Sequence, residues 1–139
     1  MRMAPGEVVS VGGRHFEMIR VNHSIPAVGY RVAGDQGVFA FSGDTTTNDT
    51  FWEALNRQER LDLLIVEVAF SEAQHRLAGM AHHYCPSLLA ADLAKLRHHP
   101  QTYLPHLKPG DEAAIVAECQ KAVSDRTLKP LVGGETFQL

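Results

Sequence analysis

The segment that decides the fold is LDLLIVEVAF, residues 61–70, near the middle of the chain. Its residues 63–66 form a continuous apolar run, which is typical of a short strand buried on both faces. Asp62 and Glu67 interrupt the apolar character, and the segment is far too short to cross a bilayer. A strand of this kind predicts a central place in a sheet covered by helices, so we expect an α/β fold around it.

Four β-type segments precede this strand, separated by turns that contain glycine, such as Gly12-Gly13. Their order predicts a meander of mostly antiparallel strands, because short turns join neighbouring antiparallel strands. The predicted strands cover residues 7–11, 14–21, 28–33 and 38–41.

Helical patterns dominate the rest of the chain. Pro86 in a first turn and Asp111 as a cap favour two helix starts, whereas residues 71–79 fit either a short helix or an active-site loop. We also predict a final hairpin across Gly133-Gly134, between residues 131–132 and 136–139. The predicted helices cover residues 51–57, 86–96 and 111–123, and a strand is predicted over residues 101–104.

Composition bounds the class of protein. The 139 residues are 45% apolar and 21% charged, with a net charge of −3, which predicts one ordinary globular domain over residues 1–139. The acidic balance argues against general adhesion to nucleic acid or to a membrane. The start of the sequence lacks the apolar block of a secretory signal, and two cysteines cannot form a disulfide framework, so we expect a cytoplasmic protein.

The chemistry is concentrated in the histidines, of which there are eight. Four polar residues lie just beyond the ends of predicted strands, namely His23, Asp44, His83 and His106. In α/β sheets, binding groups gather at strand ends, where loops from separate strands meet. Imidazole and carboxylate groups together suit zinc, manganese or iron.

Five segments, taken in order, resemble the second half of metallo-β-lactamase-fold hydrolases. The similarity is strongest to the branch that contains ribonuclease Z and bacterial cyclic-nucleotide phosphodiesterases, and it runs from about residue 14 to residue 123. The segments are VNHSIPAVGYRV (21–32), FAFSGDTT (39–46), LDLLIVEVAF (61–70), AHHYCPSLLAADLAKL (81–96) and YLPHLKPG (103–110).

This resemblance implies an αββα sandwich, of which the chain would be the C-terminal αβ half, a mixed sheet with flanking helices. It also implies site residues. His23 would bind one metal ion, Asp44 would bridge two and take part in catalysis, and His106 would bind the second ion. His83 would contact the scissile phosphate or the leaving group, with the adjacent His82 as the alternative.

One departure from the family pattern limits these implications. The segment His-x-His-x-Asp-His, which supplies most metal ligands in the family, is absent from the sequence. We therefore expect a truncated or split form that is inactive or incomplete alone. The complete family site holds two zinc ions, with manganese or iron as alternatives, and we expect at most one weakly bound ion here.

The resemblance favours metal-dependent hydrolysis of a phosphodiester, with a cyclic nucleotide as the preferred substrate. Two alternatives stay open: a fragment of a ribonuclease Z-like tRNA 3′ endonuclease, and a non-catalytic remnant that dimerises or binds a partner. The expected partners are therefore a small phosphodiester, a second copy of the chain or a complementing N-terminal half. Nucleic acid and membranes are not expected partners.

Several further residues have two interpretations. Glu67 could orient a ligand imidazole or make a purely structural hydrogen bond. Lys108 could meet a phosphate or belong to an ordinary loop. Cys85 is expected to be an inert, packed thiol. The remaining histidines, His15, His75, His98 and His99, are expected on the surface.

Overall fold

A seven-stranded mixed sheet runs through the computed structural model, which describes residues 3–139. The strands lie side by side in their order along the chain. The first four form an antiparallel meander, and each later strand lies parallel to the one before it. The strands are β1 (Val8–Val11), β2 (Arg14–Val21), β3 (Ala27–Ala33), β4 (Val38–Phe41), β5 (Leu63–Ile65), β6 (Gln101–Leu104) and β7 (Leu128–Pro130).

The helices lie in the connections between parallel strands. Parallel neighbours need crossovers, and crossovers that advance in one direction across a sheet with right-handed connections place their helices on the same face. No helix among residues 3–139 is long and apolar enough to span a membrane. The helices are α1 (Thr50–Asn56), α2 (His75–Ala81), α3 (Pro86–Leu93) and α4 (Glu112–Ala122), and a 3₁₀ turn (Glu72–Gln74) precedes α2.

The core lies between this helical layer and one face of the sheet. Ala40, Leu64 and Leu104, on β4, β5 and β6, are completely buried there. Helix α1 contributes Phe51 and Trp52, which are also buried. Close packing explains why β3 has a glycine at position 29, since a Cβ there would lie 2.8 Å from the Phe51 ring.

The opposite face of the sheet, called here the open face, carries a row of large side chains. Tyr30, Phe41, Ile65 and Tyr103 are register partners on four successive strands, so they lie side by side across the sheet. Phe41 is 39% exposed. The C-terminal tail crosses part of this face, with the Phe137 ring 4.7 Å from the Tyr103 ring.

The tail leaves an open groove of about 840 Å³ beside it, partly lined by Val32, Phe39, Ile65 and Phe137. Arg14, Asp35 and Gln36 add polar walls to the groove. The open face is thus a candidate interaction surface, which the prediction below tests.

The structure corrects the predicted C-terminal hairpin. Residues 128–130 instead form β7, which pairs in parallel with β6, and Leu128 is buried against the helical layer. A turn does follow, because the backbone N–H groups of Val132 and Glu135 bond within it. The tail then packs Phe137 on the sheet, so its apolar residues meet the sheet and not one another.

Other differences concern helix ends. Helix α3 ends at Leu93, three residues earlier than predicted, although Leu96 beyond it is buried as expected. Residues 71–79 form the 3₁₀ turn and the start of α2, which settles the earlier ambiguity. Asp111 makes no side-chain cap bond to α4.

The open face generates the first prediction. We expect the chain to self-associate at high concentration, because burying this apolar row removes it from water. Phe41→Lys should weaken that association, since the new charge would have to be buried in the interface. Sedimentation velocity over a range of concentrations measures the effect.

The matched control is Leu77→Lys on α2, because Leu77 is similarly exposed, at 45%, but lies in the helical layer. The control should associate like the unmodified chain. A monomeric unmodified chain at high concentration would contradict the prediction.

Candidate metal centre

His23 and Asp44 are brought together by two loops that bond to each other. His23 follows β2, and Asp44 follows β4, which is not adjacent to β2 in the sheet. The Asn22 N–H donates to the Thr45 hydroxyl at 3.1 Å, and the Thr46 N–H donates to the Asn22 carbonyl at 2.9 Å. These bonds pass beside the start of β3 and fix the separation of the two functional residues.

Gly43 shapes the loop that presents Asp44. Its φ of +62° is a left-handed conformation that favours glycine. A Cβ at this position would lie 2.9 Å from the Val28 carbonyl oxygen, closer than real Cβ contacts allow. The turn leaves the Asp44 side chain half-exposed at the edge of the sheet.

His83 is oriented by a buried carboxylate. Its Nδ1 lies 2.7 Å from Oε1 of Glu67, whose side chain is 1% exposed. Glu67 also accepts bonds from the backbone N–H groups of Thr45, at 2.9 Å, and Tyr84, at 3.4 Å. These three bonds occupy the carboxylate. Because Nδ1 of His83 makes one of them, Nε2 is the ring nitrogen that stays available to a substrate or an ion.

Helix termination distinguishes His83 from its neighbour His82. Helix α2 ends at Ala81, and His82 takes a left-handed conformation, with φ of +57°. This change in backbone direction places the His83 ring beside Glu67. Nδ1 of His82, by contrast, is buried with no hydrogen-bond partner. The carbonyl of His82 has a role of its own, because it lies 2.9 Å from Nδ1 of His23.

His106 completes the cluster from the loop after β6. Its Nδ1 lies 3.1 Å from Oδ1 of Asp44, and its ring centroid lies 5.1 Å from that of His83. The backbone of His106 is left-handed, with φ of +64°, which is strained for a residue that has a Cβ. The N–H of Lys108 donates to the Ala69 carbonyl at 3.1 Å and ties this loop to the chain beyond β5.

The resulting arrangement can hold a divalent cation. One ligand atom each from His23, Asp44 and His83 lie within 4.8 Å of one another, and the same is true of Glu67, His83 and His106. Asp44 belongs only to the first set, but its Oδ1 also lies 3.1 Å from Nδ1 of His106. This carboxylate thus has imidazoles on two sides, as a bridging carboxylate must. The carbonyl of His82 holds Nδ1 of His23 and leaves Nε2 free, which is the usual arrangement for a metal-binding histidine.

The donor set of imidazole nitrogens and carboxylate oxygens fits zinc, manganese or iron. The predicted ligands His23, Asp44 and His106 thus converge, and their function as ligands stays a prediction. His83, predicted as catalytic, lies between them.

Sequence reasoning missed two supports of this site. The His82 carbonyl and the Thr45 N–H act through the backbone, which carries no signature in residue type. Glu67, by contrast, was visible as an acid at the end of a buried strand, and its bond to His83 favours the orienting role.

Of the histidines expected on the surface, His98 lies near the Leu55 and Gln58 carbonyls at the end of α1.

Comparison with solved structures identifies the fold. The metallo-β-lactamase fold protein YhfI from Bacillus subtilis matches with a TM-score of 0.83 and 17% identity, over 99% of this chain and 55% of that chain. A diphosphatase from the PhnP family matches with a TM-score of 0.71 and 18% identity, over 100% of this chain and 48% of that one. The short form of human tRNase Z matches with a TM-score of 0.60 and 22% identity, over 75% and 39%.

The chain therefore has the metallo-β-lactamase fold, and it spans about half the length of these proteins. The predicted mixed α/β half-fold is confirmed. Sequence comparison finds no matching family model and no matching curated protein.

The buried pair generates the second prediction. The hydrogen bond to Glu67 raises the pKa of His83 above its ordinary value of 6.5, burial opposes this rise, and the charges of Glu67 and Asp44 add to it. In metal-free protein, nuclear magnetic resonance should show the His83 ring titrating above 6.5, and Asp44→Asn should lower that pKa because one negative charge is removed.

The sign of the effect on stability follows from the raised pKa. Protonated His83 adds to the free energy of unfolding. This contribution is fully present below the pKa of the unfolded state, near 6.5, and is lost as the pH rises through the pKa of the folded state. A His83 ring that titrates below 6.5 in the metal-free chain would contradict the assignment. Asp35→Asn, in the exposed turn after β3, is the control that should leave the titration unchanged.

Proposed function

We propose that this chain supplies one half of a metal-dependent phosphodiester hydrolase whose preferred substrate is a cyclic nucleotide. The observation that carries the proposal is the convergence of Asp44 and three imidazoles, with one imidazole held by the buried Glu67. A cluster of this kind has a binding site for divalent cations and, beside it, an imidazole that can act as a general acid. Metal-dependent phosphodiester hydrolysis uses both functions.

The residues that would hold the cations are His23, Asp44 and His106. Divalent cations bound there would polarise a phosphoryl oxygen and lower the pKa of a water molecule. Asp44 contributes negative charge, and the imidazoles complete the donor set without adding charge. The His82 carbonyl orients His23, so that ring need not reorganise when an ion binds.

His83 is the proposed proton donor and phosphate contact. Because Glu67 raises its pKa, the ring carries a proton at a higher pH than an isolated imidazole would. From that state it can donate a hydrogen bond to a phosphate oxygen or a proton to the leaving oxygen. The Phe70 ring, 5.8 Å away between centroids, is an apolar neighbour that limits access of water to one side.

Two considerations support the proposed substrate class. The segments that contain Asp44, His83 and His106 resemble the cyclic-nucleotide branch, and a solved neighbour is named a diphosphatase. A tRNA 3′ endonuclease is the second candidate, favoured by the similarity to tRNase Z. The net charge of −3 argues against it, because backbone phosphates are held mainly by lysine and arginine.

The proposal includes an incomplete site. Asp44 and His106 are about half-exposed, and the cluster receives no His-x-His-x-Asp-His segment from this sequence. A polypeptide with that segment could pack on the open face and supply the remaining ligands. The chain alone would then be a binding module or a subunit. A cytoplasmic location fits its two free, buried cysteines.

The third prediction concerns metal content and activity. The purified chain should hold at most one weakly bound ion in this cluster and show little hydrolysis of bis(p-nitrophenyl) phosphate, because water replaces the absent ligands. Adding a polypeptide that carries the His-x-His-x-Asp-His half, covalently or in trans, should produce activity. Metal analysis and the chromogenic assay measure both effects.

In the restored enzyme, Asp44→Ala should abolish activity, whereas Asp35→Ala should not change it, because Asp35 lies in an exposed turn. Two tightly held ions in this cluster, with rapid turnover by the chain alone, would contradict the incomplete site.

The fourth prediction separates the two adjacent histidines. In the restored enzyme, His83→Ala should lower kcat by about 10²- to 10⁴-fold, the usual contribution of a general acid or base. His82→Ala should have a much smaller effect on kcat, because it keeps the backbone carbonyl that holds His23. Steady-state kinetics with cyclic AMP and with a tRNA precursor would compare the variants and the two substrate classes. Equal losses in both variants would overturn the assignment of His83.

A further inference from the structure

A second group of metal-binding side chains lies in the segment between β5 and β6. Glu72 belongs to the 3₁₀ turn, His75 begins α2, and Cys85 immediately precedes α3. One ligand atom from each of these residues lies within 4.8 Å of the others. The group shares no residue with the cluster around Asp44, so it is a separate feature of the molecule.

Nδ1 of His75 is at hydrogen-bonding distance from three neighbours at once. It lies 3.0 Å from Glu72 Oε1, 3.2 Å from Ser87 Oγ and 3.4 Å from Cys85 Sγ. A ring nitrogen has one proton or one lone pair, so it can satisfy only one of these three neighbours. Four atoms that can bind a metal ion are therefore neighbours, and one ion could replace the hydrogen bonds among them.

The Glu72 carboxylate is held with one oxygen facing the group, as a metal ligand would be. Its Oε2 accepts the backbone N–H of Ser87 at 2.9 Å, so Oε1 is the oxygen that faces the group. The Glu72 N–H is held in turn by Oε2 of Glu118 on α4, at 2.9 Å. Ser87 Oγ lies 2.8 Å from Glu72 Oε1 and 3.7 Å from Cys85 Sγ.

These separations can be compared with the edges of a tetrahedral zinc site. Bonds of about 2.0–2.3 Å to oxygen, nitrogen and sulfur place neighbouring ligands roughly 3.3–3.8 Å apart. The two contacts of Cys85 Sγ, at 3.4 and 3.7 Å, lie in that range, and the three shorter contacts of 2.8–3.2 Å would lengthen when an ion replaced the hydrogen bonds. We propose that Glu72, His75 and Cys85 bind one zinc ion, with the Ser87 hydroxyl or a water molecule as fourth ligand.

A catalytic role for the thiol is the competing explanation. Burial raises the pKa of the Cys85 thiol, and Cys85 is completely buried, so it is neither a thiolate near neutral pH nor open to a substrate. A zinc ion would change this, because a coordinated thiol is deprotonated.

The proposed ion would have a structural consequence. Glu72 and Cys85 stand at the two ends of the segment that contains α2, His82 and His83. An ion that joins them closes this segment into a loop and fixes the distance between its ends. The site is thus proposed to position the chain around His83, and its existence does not depend on the proposed phosphodiesterase activity.

The experiment uses the full chain with Asp44→Ala and His83→Ala, which remove at least one ligand from each set of the other cluster, after removal of metal by a chelator. Titration with Co²⁺ should give about one equivalent bound, with a thiolate-to-cobalt charge-transfer band, and Zn²⁺ should displace the Co²⁺. Cys85→Ser should lose the band. His75→Ala should lower the affinity by more than about 10-fold, because even the loss of an outer-shell partner costs 10–100-fold.

Two controls match these variants. Cys119→Ser removes the other buried cysteine, and His99→Ala removes an exposed histidine, and both should keep the band and the affinity. If Cys85→Ser fails to fold, His75→Ala decides alone, because the His75 side chain is 53% exposed and its loss is tolerable. Absence of the thiolate band in the parent, or unchanged affinity in His75→Ala, overturns the proposal.

Discussion

The rest of the site depends on the carboxylate of Glu67. It lies just beyond the central strand, is 1% exposed, and accepts bonds from the ring of His83 and from the N–H groups of Thr45 and Tyr84. A buried carboxylate is costly unless such donors offset its lost hydration. Here the donors come from the loop after β4 and from the chain before α3, so the need to satisfy one acid fixes the separation of these loops. Removing the carboxylate would leave its buried N–H donors unpaired, at about 1–3 kcal/mol for each.

Topology explains why these loops meet at all. Strands β4, β5 and β6 are parallel neighbours, so their carboxyl ends lie at one edge of the sheet, where Asp44, Glu67 and His106 follow them. The crossovers between them place the helices on one face, which leaves the other face to the C-terminal tail. The parallel direction of the strands therefore decides where the candidate metal centre lies, and the handedness of the crossovers decides which apolar surface remains available.

Much of this organisation was predictable from sequence, and the failures have identifiable causes. Apolar runs located the central strands, and the ends of those runs located His23, Asp44 and His106. His83, expected at a strand end, instead lies between α2 and α3. The choice between His82 and His83 depended on a left-handed residue at the end of α2, which residue type does not reveal. The C-terminal hairpin failed because two glycines indicate a turn but do not say whether the flanking residues pair with each other or pack on a sheet. The group of Glu72, His75 and Cys85 escaped notice because its members come from three separate elements whose approach only tertiary packing determines.

The C-terminal tail has a consequence for any molecule that approaches the open face. Leu139 lies so close to Gly37 that a Cβ there would be 2.5 Å from the leucine Cβ, and the Phe137 ring meets the Tyr103 ring edge-on. A partner that covered Tyr103 or Gly37 would therefore have to displace the tail. Its apparent affinity would fall in proportion to the fraction of chains whose tail is lifted. Residues 131–139 would then set a threshold concentration for assembly, and shortening or lengthening the tail would shift it without any change in the interface itself.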